Sequence, residues 1–334
     1  MTADGSSLSH NTSSGIPVRA EDGVRLPRLR AFLVVSRVEF MPGGLFFIFA
    51  SAALACLSWT ALGENLPVIA AGAVVWYLSH LIGSQVNCLA DRDIDREHKA
   101  RLAAAVAVLG TRSISVALGV EAAAALGVAT GMAVATGRPV LPFLWLAGFA
   151  VAMAYSLEPV RLKRRVWLNP ASLLLVLYAF PMMFGYLALV GSVQWAALGV
   201  IAGTAAQMLA LILLNPAEDI ATDRAGGVAT PCTVHGLGVV APLAAAVYLA
   251  GTAVTFWSLA ELAGGRGILV HTGLALVAAA QLFVFGELAR LAALSRRAAD
   301  PGAAGRTNRL LKRNPVHFAL LGITLAAAGG LVVR

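Results

Sequence analysis

Asn87, Asp91 and Asp95 recur at a spacing of four, and 128 residues later the same spacing returns as Asn215, Asp219 and Asp223. Each row follows a long apolar run. Carboxylates are costly in such surroundings, so a repeated cluster marks a candidate functional site. Four residues of helix rotate about 40°, which puts each row on one face within roughly 80°. Carboxylates at that spacing repel one another, and a divalent cation removes the penalty. Mg²⁺ takes one or two carboxylates, keeps waters and draws its remaining ligands from substrate phosphates. Two facing rows would hold a diphosphate between them through such ions. Asp93 lies about 200° around from Asp91 and reads as a solvated charge, as does Glu97. Glu218, beside the second row, fits either role.

A diphosphate also needs cations. Lys99 and Arg101 follow the first row, and Arg161 and Lys163 lie in the stretch that begins at Tyr155 and Ser156. Arg161 and Lys163 fit phosphate contacts and membrane anchoring equally well. Arg37 sits beside Glu39, so a self-satisfied pair and a place at the cavity mouth both stay open. The histidines form no metal set. His80 falls on the face of Asn87 and reads first as a packed core histidine. No phosphate-binding loop, dinucleotide fingerprint or nucleophile elbow is present, which disfavours ATP-driven transport and serine hydrolysis.

The elements that must carry these residues are membrane helices. Of 334 residues, 59% are hydrophobic and 13% charged, against about 25% charged in soluble domains; the mean hydropathy is +0.79. Nine runs approach the length of a span, about 20 residues: 40–60, 66–87, 112–136, 139–156, 170–190, 194–214, 237–260, 267–289 and 315–333. Small residues fill most of them and permit close packing without strong polar contacts. Twenty-one Lys and Arg residues fall on the side of the acidic rows, against three (Arg138, Arg266 and Arg334) on the other. That bias predicts a cytoplasmic N-terminus and cytoplasmic rows. It also accounts for the net charge of +8 without a nucleic-acid partner.

Four spans separate the rows, so the expected fold is all-α: nine transmembrane helices as two pseudo-repeated four-helix halves plus a ninth. Residues 1–24 read as a disordered polar tail, 25–37 as a basic helix at the membrane surface, and 25–334 as one transmembrane domain. The three cysteines give neither a disulfide framework nor metal spacing. No obligate protein partner is evident. A cation-coupled transporter would place its carboxylates near mid-membrane, whereas these sit at helix ends.

The chain resembles the UbiA superfamily of intramembrane prenyltransferases. Asn87-Cys88-Leu89-Ala90-Asp91-Arg92-Asp93-Ile94-Asp95 is similar to that family's first acidic motif. Asn215 through Asp219 to Asp223-Arg224, with Gly227 and Thr230, is similar to its second. Tyr155-Ser156, Pro159 and Arg161-Leu162-Lys163 resemble its conserved basic loop. The resemblance implies a helical bundle around a central cavity that holds an isoprenyl tail. It implies Mg²⁺ on Asp91, Asp95, Asp219 and Asp223, these four being the catalytic set. A polyprenyl diphosphate would meet Asn87, Lys99, Arg101, Tyr155, Arg161, Lys163, Asn215 and Arg224. The allylic cation would then pass to a lipophilic aromatic or lipid acceptor. The alternative is UbiA-type terpene cyclisation with no acceptor, where Trp76, Tyr77, Tyr155 and Tyr178 could steady the cation, although these four read first as core or interface packing. The chain departs from the pattern at Cys88, Leu102, Val228 and Ala229. With the last two the second loop loses its basic pair, and Arg224 is the expected substitute.

Overall fold

The computed structural model describes residues 27–225, 227–264, 267–297 and 301–333. The expected tail 1–24, with Arg266 and Arg334, lies outside the described residues. Sixteen α-helices follow in order: α1 Arg28–Val35, α2 Pro42–Cys56, α3 Trp59–Glu64, α4 Leu66–His98, α5 Ala100–Leu109, α6 Thr111–Thr136, α7 Val140–Ser156, α8 Leu168–Leu174, α9 Phe180–Leu189, α10 Trp195–Leu214, α11 Ile220–Ala225, α12 Pro231–His235, α13 Leu237–Ala263, α14 Ile268–Ser295, α15 Pro301–Leu311 and α16 Asn314–Val332. No strand occurs among the described residues.

Among the described residues seven stretches are long and apolar enough to cross a membrane, where nine were expected. The first and fourth expected spans are the shorter helices α2 and α7, of 15 and 17 residues. At 1.5 Å per residue these reach only about 22 and 26 Å, against a hydrocarbon core of about 30 Å. Pro42 starts α2, and Leu57, in the left-handed region at φ 53°, ends it. The 170–190 run is α8 and α9 joined by a π turn at Leu175–Ala179. Pro181 follows in the first turn of α9, and its missing N–H explains the shifted bonding.

The two expected halves contain similar helix contacts. In one half α4 lies along α6, and α6 packs on α7; in the other α10 lies along α13, and α13 packs on α14. Helix α16 packs on both α2 and α14. The α10–α13 crossing brings backbones together: a Cβ on Gly203 would sit 2.7 Å from the Gly251 carbonyl oxygen, so both positions need glycine. Polar contacts also link the helices, contrary to the expectation from their small residues. Buried Gln207 on α10 donates to Thr252 on α13 at 2.8 Å and to Gln281 on α14, and Gln281 donates to Thr324 on α16 at 3.3 Å. In the first half Gln85 donates to Glu121 at 2.9 Å.

Residues 25–37 were expected at a membrane surface. The described part, α1, buries Ala31 and Val35 against Leu102, Ala105 and Val106 of α5 and Cys88 of α4. Cys88 donates to the Val35 carbonyl at 3.5 Å. The motif position at which Cys88 departs from the family pattern therefore faces a packing core.

Candidate metal and diphosphate site

The first row stands on one continuous helix. No Gly or Pro interrupts residues 84–98, so α4 runs 33 residues, well past its apolar stretch. Asn87 and Asp91 share its face, one turn apart. The backbone of Asp95 continues the row, but the side chains of residues 94–98 lie outside the described residues.

The loop after α7 folds back onto this face. Arg161 takes the left-handed conformation at φ 37°, a strained choice for a long side chain. It extends Nη2 to Asp91 at 3.0 Å and Nη1 to Glu158 at 2.8 Å. Lys163 Nζ donates to the same Asp91 oxygen and to Asn87 Oδ1 at 3.1 Å. Ser156 reaches Asn87 at 3.4 Å. Side-chain exposure is only 12% for Arg161, 13% for Lys163 and 15% for Asp91. So shielded a cluster is costly to break from either side. Arg161 Nε is buried with no acceptor. Tyr155 lies within electrostatic reach of Asp91 and Arg37. Glu158, fully exposed, has its carboxyl held below the ordinary range, first by the Arg161 hydrogen bond.

The second row is broken where the spacing predicts one helix. Pro216 has no N–H, and α10 ends at Leu214 in a 3-10 turn, Asn215–Ala217. The chain re-enters helix at Ile220. Asp219 and Asp223 still share one helical turn, because Asp223 N–H donates to the Asp219 carbonyl at 2.8 Å. Asn215 belongs to the turn before the break. Asn215, Glu218 and Asp219 are exposed, and Asp223 is half-buried. Among the described residues no cation pairs with Asp219 or Asp223 within 4.0 Å. Burial raises the Asp223 carboxyl above its ordinary range; the Asp219 charge adds to this, and Lys99 opposes it. Lys99, just ahead of α5, is therefore within electrostatic reach of Asp223.

Arg224 does not replace the lost basic pair in this geometry. Its Nε and Nη2 both donate to the Thr233 carbonyl at 3.2 Å. Cys232 is buried, and its thiol is pushed up to about 12 by burial and then by Asp223. Tyr178 is core: it is fully buried, donates to the Ile201 carbonyl at 3.2 Å and meets Phe47 edge-on. His80 stacks on Trp76 and donates to the Arg37 carbonyl at 3.2 Å.

A cavity of about 760 Å³ opens beside Lys99. Arg30, Arg37, Lys99 and Arg101 line it with positive charge against the single carboxylate of Glu39, beside the apolar Leu33, Val34, Phe40 and Leu102. Residues 30–40 were not marked by any motif, apart from the Arg37–Glu39 pair.

Among the described residues no three His, Cys, Asp or Glu side chains converge on one point. The donor set nonetheless fits Mg²⁺, which needs only one or two carboxylates per ion when phosphate oxygens complete its shell. Asp219 and Asp223 would be such a pair, with Asp91 of the other half as a candidate third carboxylate.

The UbiA prenyltransferase family model matches residues 44–301. No curated protein matches by sequence. Among solved structures, a UbiA homolog from Archaeoglobus fulgidus bound to GPP and Mg²⁺ is 14% identical, with a TM-score of 0.62 over 91% of this chain and 99% of that one. A UbiA homolog from Aeropyrum pernix K1 is 19% identical, with a TM-score of 0.60 over 86% and 97%. A structure concerned with digeranylgeranylglyceryl phosphate synthase is 13% identical, with a TM-score of 0.63 over 90% and 99%. At these identities the neighbours establish the helical membrane fold. The match to the family model covers most of the sequence and spans both acidic rows, and by it the chain belongs to the UbiA prenyltransferase family.

Proposed function

We propose that this protein is an Mg²⁺-dependent intramembrane prenyltransferase. It ionises a polyprenyl diphosphate and passes the prenyl group to a lipophilic acceptor, aromatic or lipid, with residues 25–334 acting as one domain and the site opening to the cytoplasm. The observation that carries this is the convergence of Asn87, Asp91, Arg161 and Lys163 from segments about 70 residues apart, while Lys99, which follows the first row in sequence, acts electrostatically on Asp223 of the second. A structural neighbour bound to GPP and Mg²⁺ supports the substrate class. The cavity beside Lys99, whose lining combines four cationic side chains and Glu39 with apolar ones, suits an amphiphilic anion.

Asp91, Asp95, Asp219 and Asp223 would hold the metal, which supplies charge stabilisation for the departing diphosphate. Lys163 and Arg161 neutralise Asp91 before substrate arrives and donate to phosphate oxygens afterwards; the spare Nε of Arg161 is one such donor. As the allylic C–O bond breaks, its electron pair leaves with the diphosphate, where these fixed cations stabilise the new charge. The apolar helices keep water from the carbocation. Attack by the acceptor forms the new bond, and the acceptor's proton is released. Tyr178 serves the core, which removes one aromatic from the set a cyclase would use.

The test is to incubate protein-containing membranes with Mg²⁺ and prenyl diphosphates of several lengths, with and without aromatic and lipid acceptors. Prenylated acceptor is the expected product. Cyclic hydrocarbons or alcohols formed without acceptor would replace transfer by cyclisation.

A further inference from the structure

Helix α10 ends in an unusual way. Pro216 offers no N–H, so the Asn215 N–H bonds to the Ile212 carbonyl, one residue short of the α-helical pattern. The Leu211 carbonyl thereby loses its regular partner inside a buried helix end, where an unmet acceptor is costly. Asn314 replaces that partner: its Nδ2 donates to the Leu211 carbonyl at 3.1 Å across 103 residues. Asn314 is 6% exposed and opens α16. The residue before it, Arg313, is fixed by an ion pair with Glu287 of α14 at 2.8 Å, and His317 lies 3.8 Å from the same carboxylate. Next along α10, the Leu213 carbonyl accepts from Cys232 of α12 at 3.4 Å. The turn that launches the second acidic row is thus held by side chains from elsewhere in the chain.

From this we infer that Asn314, anchored through Arg313 and Glu287, is a positioning residue for the second acidic row: it fixes the broken end of α10 and so sets where Asn215 and Asp219 stand. The role rests on the metal site proposed above, but its mechanical part stands apart from it. The first row needs no such device, because α4 continues unbroken through it.

The experiment compares wild type, Asn314→Leu and Thr324→Val in detergent. Thr324→Val removes a hydrogen bond on the same helix away from α10's end. Deuterium exchange of amides 212–219 is measured without metal, and Mn²⁺ binding is followed by the resonance signal of the free ion. Asn314→Leu should speed exchange in 212–219 by about tenfold and weaken Mn²⁺ binding about five- to tenfold, with Thr324→Val within twofold of wild type in both. Equal effects from the two variants, or an Asn314→Leu protein within twofold of wild type, would overturn the assignment. If wild type binds no Mn²⁺, the metal site fails while the exchange comparison still decides the positioning role. If Asn314→Leu does not fold, Pro216→Ala should rescue it by restoring the missing amide; a double variant that stays unfolded would also contradict the inference.

Discussion

The two acidic rows share a spacing and little else. The first lies on an unbroken helix, shielded, with Asp91 already paired to Arg161 and Lys163. The second straddles a helix break, is open to its surroundings and has Lys99 as its named cationic influence. A repeated motif need not mean repeated electrostatics. The first row comes with its own countercharge and reads as the diphosphate-gripping side. The second has a carboxyl, Asp223, raised by burial and by the neighbouring Asp219 charge, and gains most from a cation.

Substitutions separate these roles. Asp91→Ala and Asp219→Ala should each lower turnover by on the order of 10²–10³-fold or more while the protein stays folded in detergent, read by product formation and size-exclusion profile. Lys163→Met should weaken use of the prenyl diphosphate by roughly 10–100-fold, since it removes a charge-assisted donor, with Mn²⁺ binding in the absence of substrate preserved. Lys99→Met acts through pH. Asp223 is raised in the fold, so the metal-free protein gains stability from its protonated form below the ordinary Asp value of about 3.9. That contribution is lost as pH rises through the raised value. Metal needs the ionised form, so affinity should fall as pH drops through the raised value, and removing Lys99 should move that inflection upward. Arg224→Gln should change the diphosphate KM within about twofold, because its guanidinium serves the Thr233 carbonyl; a loss as large as that of Lys163→Met would make the two rows more alike than described.

The residues show why part of this was legible beforehand. The face shared by Asn87 and Asp91 follows from local helical spacing, and the paired halves follow from where apolar runs and cations fall. The break in the second row was signalled by Pro216, yet equal spacing suggested equal helices. Lengths of α2 and α7 depended on end residues, Pro42 and Leu57 among them, that composition does not weigh. The turn of Arg224 toward Thr233, the Gln207–Gln281 contact and the reach of Asn314 to Leu211 depend on tertiary neighbours up to 103 residues away, which no single-sequence period encodes.

Both rows are proposed to act on one diphosphate through divalent metal. The direct measurement is Mg²⁺-dependent release of pyrophosphate from a prenyl diphosphate, in the presence of acceptors, by wild type, Asp91→Asn and Asp219→Asn. Release should require Mg²⁺ and be lost in both variants. Release that persists in either variant, or that proceeds after chelation of all divalent metal, would contradict it.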